Sequence, residues 1–154
     1  MVKKIRIKID FSEDNFLFGI SCHKPDYWMA FTLNSTFNLD LTRVADLPVF
    51  HEKLKELIHY PLFFYKDPER DISFYLFPNH HPDGKLFISQ KNTDFFVLVN
   101  GIVADKEKRE FVSDLKKIKH ILASFEIPLN KIKYLNGFLS DLELHLIDIN
   151  KGRK

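Results

Sequence analysis

The chain of 154 residues is 45% hydrophobic and 29% charged, which is an ordinary composition for a single globular domain. The formal net charge of +2 is too small to attract the whole protein to nucleic acid, and one cysteine cannot form an internal disulfide. No stretch resembles a signal peptide or reaches the roughly 18 apolar residues that a membrane helix needs. We therefore expect a cytoplasmic protein without membrane contact, with one domain over 1–150 and a frayed basic tail over 151–154.

The N-terminal part of the chain predicts two strands and a helix. In Lys4–Asp10, isoleucines alternate with basic residues, as in a half-exposed strand. Asn15–Ser21 is apolar on both sides, which indicates a central strand. Pro25 is typical of a first helical turn, so we expect a helix over 25–38. Helical spacing places four of its residues near one face, namely Tyr27, Ala30, Phe31 and Phe37.

The middle of the chain predicts a meander of aromatic strands. Val49–Tyr60 is compatible with a short helix after Pro48 and also with an irregular strand. Two aromatic runs then flank the turn-forming segment KDPERD at 66–71, which predicts two strands joined by a turn. The tripeptide at 82–84, Pro-Asp-Gly, predicts a tight turn into a third short strand.

The C-terminal part predicts a strand, a long helix and a return to the sheet. Asp94–Gly101 is almost wholly apolar and indicates a buried strand. The helix over 104–124 carries apolar residues on one face, namely Phe111, Leu115, Ile118 and Leu122. The segment 124–128 is expected to return to the sheet. Beyond it we expect a short helix, a break near Asn136-Gly137 and an amphipathic end.

These elements together predict an α+β fold. Helices that alternate with a meander of strands form a mostly antiparallel sheet with the helices on one face. A ferredoxin-like arrangement with an inserted β-meander describes this order of elements best.

The dipeptide Cys22-His23 is the first candidate for chemistry. A thiol at the amino end of a helix beside a cation can have a lowered pKa and act as a nucleophile. Neighbouring residues on a strand point to opposite faces, however, so His23 is badly placed to serve Cys22 as a base. We expect a half-buried thiol at the junction of strand and helix, and rank an enzyme with a Cys22 nucleophile third among the functional hypotheses.

The sequence carries no motif of a common enzyme class or cofactor site. It lacks the glycine-rich phosphate loops, the G-x-S-x-G elbow and the paired spacings of a zinc site. His80 and His81 are adjacent in a predicted turn beside Asp83, and adjacent residues seldom bind one metal together. We therefore expect no catalytic residue, no metal site and no cofactor.

Basic residues beside aromatic ones make RNA binding the second hypothesis. Lys4, Arg6 and Lys8 project from one face of the first predicted strand, and rings crowd the meander. Such an arrangement can hold single-stranded RNA by phosphate contacts and stacking. Basic side chains on a terminal strand also discourage edge-to-edge aggregation, and the aromatic RNA-binding signature is absent.

The excess of aromatic residues favours the first hypothesis, which is a binding or adaptor protein without enzymatic activity. Aromatic residues make up 14% of the chain. If helices cover one face of the sheet, rings on the other face must meet a second copy of the chain, another protein or an apolar ligand. The alternative is that Val49–Tyr60 and the C-terminal segment cover that face. The candidate partner-binding residues are Phe63, Tyr65, Phe74 and Tyr75.

The stretch FLFGISCHKPDYWMAFTLN at 16–34 resembles the start of the IPExxxVDY family, small proteins of Bacteroidota. The family pattern has an apolar strand running into Gly-Ile-Ser, and then Asp-Tyr opening a helix that ends near Leu-Asn. The matching residues here are Gly19, Ile20, Ser21, Asp26, Tyr27, Leu33 and Asn34. The resemblance covers roughly residues 4–127.

The motif that names the family falls on Phe87–Phe95. Phe-Ile-Ser at 87–89 replaces Ile-Pro-Glu, Thr93 replaces valine, Asp94 is kept and Phe95 replaces tyrosine. The resemblance implies a cytoplasmic bacterial protein without a recognised cofactor, and it supplies no catalytic residue. Asp94 itself is expected to end a loop and hydrogen-bond its neighbours where the strand begins.

Overall fold

The protein is described by a computed structural model that covers residues 15–51, 54–82, 85–87, 90–132 and 135–152. Its strands are β1 (Asn15–Ser21), β2 (Thr42–His51), β3 (Glu56–Asp67), β4 (Ile72–Pro78), β5 (Phe95–Asn100) and β6 (Ala123–Ile127). Its helices are α1 (Asp26–Phe37), α2 (Asp105–Lys116) and α3 (Leu135–Gly152), with a 3₁₀ turn at Leu129–Lys131. The predicted strand at Lys4–Asp10 lies outside the described residues.

The strands form one sheet in the order β2-β3-β4-β5-β1-β6, and every neighbouring pair is antiparallel. Within it, the order β4-β5-β1-β6, with α1 after β1 and α2 between β5 and β6, is that of a ferredoxin-like unit. Strands β2 and β3 extend the sheet beyond β4 as an inserted hairpin. The predicted α+β fold with an antiparallel sheet is therefore confirmed.

Helices cover both faces of the sheet, and not one face as predicted. Helices α1 and α2 pack on the first face, called the α1/α2 face, around Phe18, Ile20, Met29, Leu33, Leu76, Val97 and Leu115. Helix α3 packs on the second face, called the α3 face, around Leu17, Leu62, Phe77, Phe96, Leu98, Phe138, Leu139 and Leu142. The physical reason is the apolar run of β5, whose five residues Phe95–Val99 are all buried and project alternately to the two faces.

Four local predictions need correction. Helix α1 buries Met29, Ala30 and Leu33, whereas Tyr27 and Phe31 are each 70% exposed. The segment 49–60 forms the end of β2 and the start of β3, so the strand interpretation is right and the helix is wrong. Helix α2 stops at Lys116 instead of continuing to 124. Helix α3 runs through 136–137, where a break was expected.

The loop between β4 and β5 contains no strand in its described parts, contrary to prediction, because Asn79 organises it differently. The Asn79 side chain is fully buried and accepts the N–H of Phe87, while its Nδ2 donates to the carbonyls of Gln90 and Thr93. Its backbone N–H donates to Asp94 O and its carbonyl accepts Leu86 N–H. These five hydrogen bonds to one buried residue hold the described parts of the loop in a conformation without strand pairing.

The two glycines at 101 and 137 allow a matched test of the packing. Gly101 has φ +147°, and a Cβ there would lie 2.8 Å from Ile72 Cγ1 and 3.1 Å from Ile72 Cα, whereas one at Gly137 meets nothing within 4 Å. We expect Gly101→Ala to lower the free energy of unfolding by about 1–3 kcal/mol. Gly137→Ala, within helix α3, raises it by about 0.5 kcal/mol. Urea unfolding of both variants measures the difference, and equal effects would contradict the packing at Gly101.

Tyr75 gives the fold an alkaline limit. Burial raises its pKa to about 12, the carboxylate of Glu143 adds to the rise, and a hydrogen bond with Ser73 opposes it. The unfolded chain releases this proton near pH 10, so the stabilisation is complete below pH 10 and is lost as the pH rises towards 12. Between pH 9 and pH 11.5, we expect the free energy of unfolding to fall by about 2 kcal/mol more in the wild type than in Tyr75→Phe. Urea unfolding at both pH values measures this difference. An equal fall in the two proteins would contradict the burial of the Tyr75 hydroxyl.

Candidate functional site

A row of side chains from three neighbouring strands forms the floor of a cleft on the α1/α2 face. Phe74 of β4 pairs with Val99 of β5, and Val99 pairs with Phe16 of β1, so the three side chains lie side by side across the sheet. Valine is much smaller than the phenylalanines on either side, which leaves space above the middle strand. The register of the sheet therefore builds an apolar floor with rings at both ends.

Aromatic residues of the two helices form the walls. The centre of the Phe111 ring on α2 lies 4.4 Å from the ring centre of Phe37, at the end of α1. It lies 4.8 Å from the ring centre of Phe18 on β1. Asn34 holds the chain beyond α1 in place, because its side chain accepts the N–H of Leu41 and donates to the carbonyl of the same residue. We call the resulting site the aromatic cleft; its rings are Phe16, Phe18, Phe37, Phe74 and Phe111.

The aromatic cleft has a volume of about 390 Å³ and a charged rim. This volume is within the range of about 300–1,000 Å³ that ligand pockets occupy. Arg70, in the turn between β3 and β4, makes two hydrogen bonds of 2.8 and 3.0 Å to the carboxylate of Glu107 on α2. Both hydrogen bonds come from Nη2, and both side chains are about half exposed, so this ion pair connects the turn to the helix at the rim with modest strength.

Lys108 places a positive charge against one ring of the cleft. Its Nζ lies 3.8 Å from the centre of the Phe16 ring and 3.1 Å from Asp105 Oδ1, and only 14% of the side chain is exposed. The negative face of the ring attracts the ammonium group, and burial strengthens that attraction. The cleft therefore already accommodates a cation over one of its phenylalanines.

A second cluster surrounds Asp94, at the end of the loop that Asn79 organises. One carboxylate oxygen accepts the N–H of Cys22 at 2.8 Å, and the other lies 2.6 Å from Nε2 of His80. Lys85 Nζ is 2.9 Å from Nδ1 of the same ring. Asp94 directly precedes β5, as predicted, but its side chain contacts Cys22 and His80 instead of its neighbours along the chain, and so joins the loop to the end of β1.

Cys22 has the surroundings of a structural thiol. It is 2% exposed, and burial raises the pKa of the thiol. A hydrogen bond from the Lys24 backbone opposes this rise and the charge of Asp94 supports it. His23 is exposed, and the described contacts join neither His23 nor any other base to the sulfur. Because the reactive form is the thiolate, this environment disfavours nucleophilic chemistry.

The four predicted partner-binding residues are divided between the two faces. Phe63 is buried on the α1/α2 face under Arg43, whose guanidinium lies 5.6 Å from the ring centre, and Tyr75 is buried on the α3 face. Tyr65 and Phe74 are half-buried and stack on each other with ring centres 6.1 Å apart. Phe74 alone of the four lines the aromatic cleft.

The predicted RNA contacts at Lys4, Arg6 and Lys8 lie outside the described residues. Sequence reasoning did not single out Phe16, Phe18 or Lys108 for a site. Periodicity places Phe16 and Phe18 on the same face of one strand, which is a usable signal. It cannot show that Val99 lies beside Phe16, because strand pairing over such a distance along the chain leaves no local pattern.

Comparison with known proteins adds no assignment: no protein-family model, no curated protein and no solved structure matches the chain. The resemblance to the IPExxxVDY family therefore stays a prediction.

Within the described ranges, no helix is long and apolar enough to cross a membrane. The same residues contain no group of three or more His, Cys, Asp or Glu side chains placed to hold a metal ion.

Labelling of Cys22 tests whether its thiol is structural. We expect a disulfide reagent such as dithionitrobenzoate to modify the folded protein at pH 8 on the order of 100-fold more slowly than the protein in guanidinium chloride, because attack needs both opening and ionisation. The absorbance of the released thiolate gives both rates. Fast labelling of the folded protein below pH 7 would contradict the raised pKa and restore Cys22 as a nucleophile.

Proposed function

We propose that this is a binding protein without enzymatic activity, which takes an apolar group of a protein partner into the aromatic cleft. The observation that carries the proposal is the cleft itself, with five rings around a floor that dips at Val99 and a rim held by an ion pair. Burial of apolar surface between rings is the strongest general source of binding energy, and aromatic residues are enriched where partners meet. A cytoplasmic location and membership of the IPExxxVDY family belong to the same proposal.

The stacked pair Tyr65 and Phe74 supports a protein partner over a small molecule alone. Phe74 lines the cleft, and Tyr65 continues the ring surface from Phe74 onto the neighbouring strand. A side chain that enters the cleft can therefore be followed by contacts of the same partner along β3. We therefore retain Tyr65 and Phe74 as proposed partner contacts. Phe63 and Tyr75 are buried and belong to the hydrophobic cores on the two faces of the sheet.

RNA binding at this cleft is disfavoured by charge. Four carboxylates line the rim, at Asp67, Glu107, Glu110 and Asp114. A phosphate backbone brought to the rings would face these groups at close range, and like charges repel. Binding of RNA elsewhere, through the basic N-terminal residues, stays a prediction.

Filling the cleft tests the proposal. Val103 is half-buried and lines the cleft, so Val103→Trp adds volume without removing a core side chain. Leu144, which is 60% exposed on α3, supplies the matched control Leu144→Trp. With the tagged full-length chain as bait in lysate of its source organism treated with ribonuclease, we expect wild type and control to retain a protein that Val103→Trp loses. Binding of that purified partner weakens at least about tenfold, or about 1.4 kcal/mol.

Thermal unfolding provides the control for folding, because an overfilled site lowers the melting temperature. Phe74→Leu, which removes the ring and keeps an apolar side chain, is expected to weaken binding as well. Equal retention by wild type and Val103→Trp, with both folded, would exclude the cleft as the binding site. A retained second copy of the chain would identify self-association as the function.

A further inference from the structure

The rim of the aromatic cleft is acidic although the protein as a whole is not. The lining contains four carboxylates and two cations, which is a net charge of −2, while the whole chain carries +2. The four carboxylates belong to Asp67, Glu107, Glu110 and Asp114, and the cations are Arg70 and Lys108. A cleft whose lining carries a net charge attracts ligands of the opposite sign.

Ion pairs within the protein use only part of this negative charge. Arg70 neutralises Glu107 through its bidentate contact, and Lys108 is engaged with Asp105 and the Phe16 ring. Asp114 has Lys117 at 3.7 Å. Among the residues that the structure describes, Asp67 accepts hydrogen bonds from the backbone N–H groups of residues 69 and 70.

Glu110 and Asp67 are the two rim carboxylates that have no cationic partner within the described part of the chain. Glu110 is exposed on α2 and Asp67 is half-buried at the end of β3, so the two stand on separate elements of the rim. Both carboxylates line the same cleft, so a ligand bound there can meet either of them.

The rings add a second preference for positive charge. The π-face of a phenylalanine is negative, and Lys108 over Phe16 shows that a cation sits against a ring in this cleft with most of its side chain buried. The aliphatic stem of an arginine or lysine packs on rings while its charged end reaches the rim. Rings and carboxylates therefore select the same kind of group.

We propose that the partner segment bound by the cleft is basic, with one apolar side chain inserted between the rings and flanking arginine or lysine residues paired with Asp67 and Glu110. This proposal rests on the binding function proposed above and names the chemistry of the partner. An acidic or phosphorylated segment of the same shape meets uncompensated carboxylates and is rejected.

Selection of peptides from a random displayed library on the immobilised full-length chain tests the proposal. We expect the enriched peptides to combine a large apolar residue with at least two arginine or lysine residues within a few positions. Enrichment of peptides that contain the apolar residue and no excess of basic residues, and that lose binding in Val103→Trp, overturns the basic partner and leaves the cleft function standing. No enrichment, or enrichment that Val103→Trp does not affect, overturns the cleft function itself.

Variants that replace the two rim carboxylates with amides measure how much the two proposed ion pairs contribute to binding. A synthetic peptide with the selected consensus is expected to bind the double variant Asp67→Asn/Glu110→Gln about fivefold more weakly than wild type, because exposed ion pairs contribute modestly. Asparagine at 67 can still accept the turn N–H groups, so the fold is kept. The matched control Asp141→Asn/Asp148→Asn removes two exposed charges from α3 on the other face of the sheet. If both double variants bind the peptide equally weakly, the effect comes from the net charge of the protein, and the pairing with Asp67 and Glu110 is wrong.

Discussion

Strand β1 lies one strand in from the edge of the sheet, between β5 and β6, and its two sets of hydrogen bonds organise the rest of the molecule. It pairs with β5 along one side and with β6 along the other, so it joins the meander β2-β3-β4-β5 to the last strand. Helix α1 leaves its end and α2 leaves the end of β5, which brings both helices to one face. The opposite face of these interior strands is equally apolar, and α3 is needed to cover it.

The aromatic cleft arises where this packing is incomplete. Helices α1 and α2 contact each other through Phe37 and Phe111, and the space between them and the row Phe74–Val99–Phe16 is left open to the rim. The small side chain of Val99 between two phenylalanines leaves that space, and the ion pair between Arg70 and Glu107 lies at its mouth. Binding there needs little rearrangement of the backbone, and a preformed site loses less free energy to ordering when it binds.

Local patterns in the sequence predict most strands and helices, because the spacing of apolar residues within an element depends only on residues close together in the chain. Asn15–Ser21 and the hairpin around KDPERD are found where periodicity places them. Helix α1 has apolar residues on every side, so spacing could not show that Tyr27 and Phe31 face outward. The loop held by Asn79 and the floor of the cleft could not be predicted, since both depend on contacts between residues distant along the chain. Among the proposed partner residues, only burial distinguishes Tyr65 and Phe74 from Phe63 and Tyr75.

The position of β1 also has a kinetic consequence. Asn15 and Asn100, which face each other across β1 and β5, are 85 residues apart in sequence. The meander from β2 to β4 needs only short loops, so its pairings close at a much lower entropic cost than the insertion of β1. Folding should therefore begin in the meander, and β1 docks on it late, followed by β6, whose neighbour in the sheet is β1. Since Phe16 and Phe18 arrive with β1, the chain acquires the cleft only after the meander has formed.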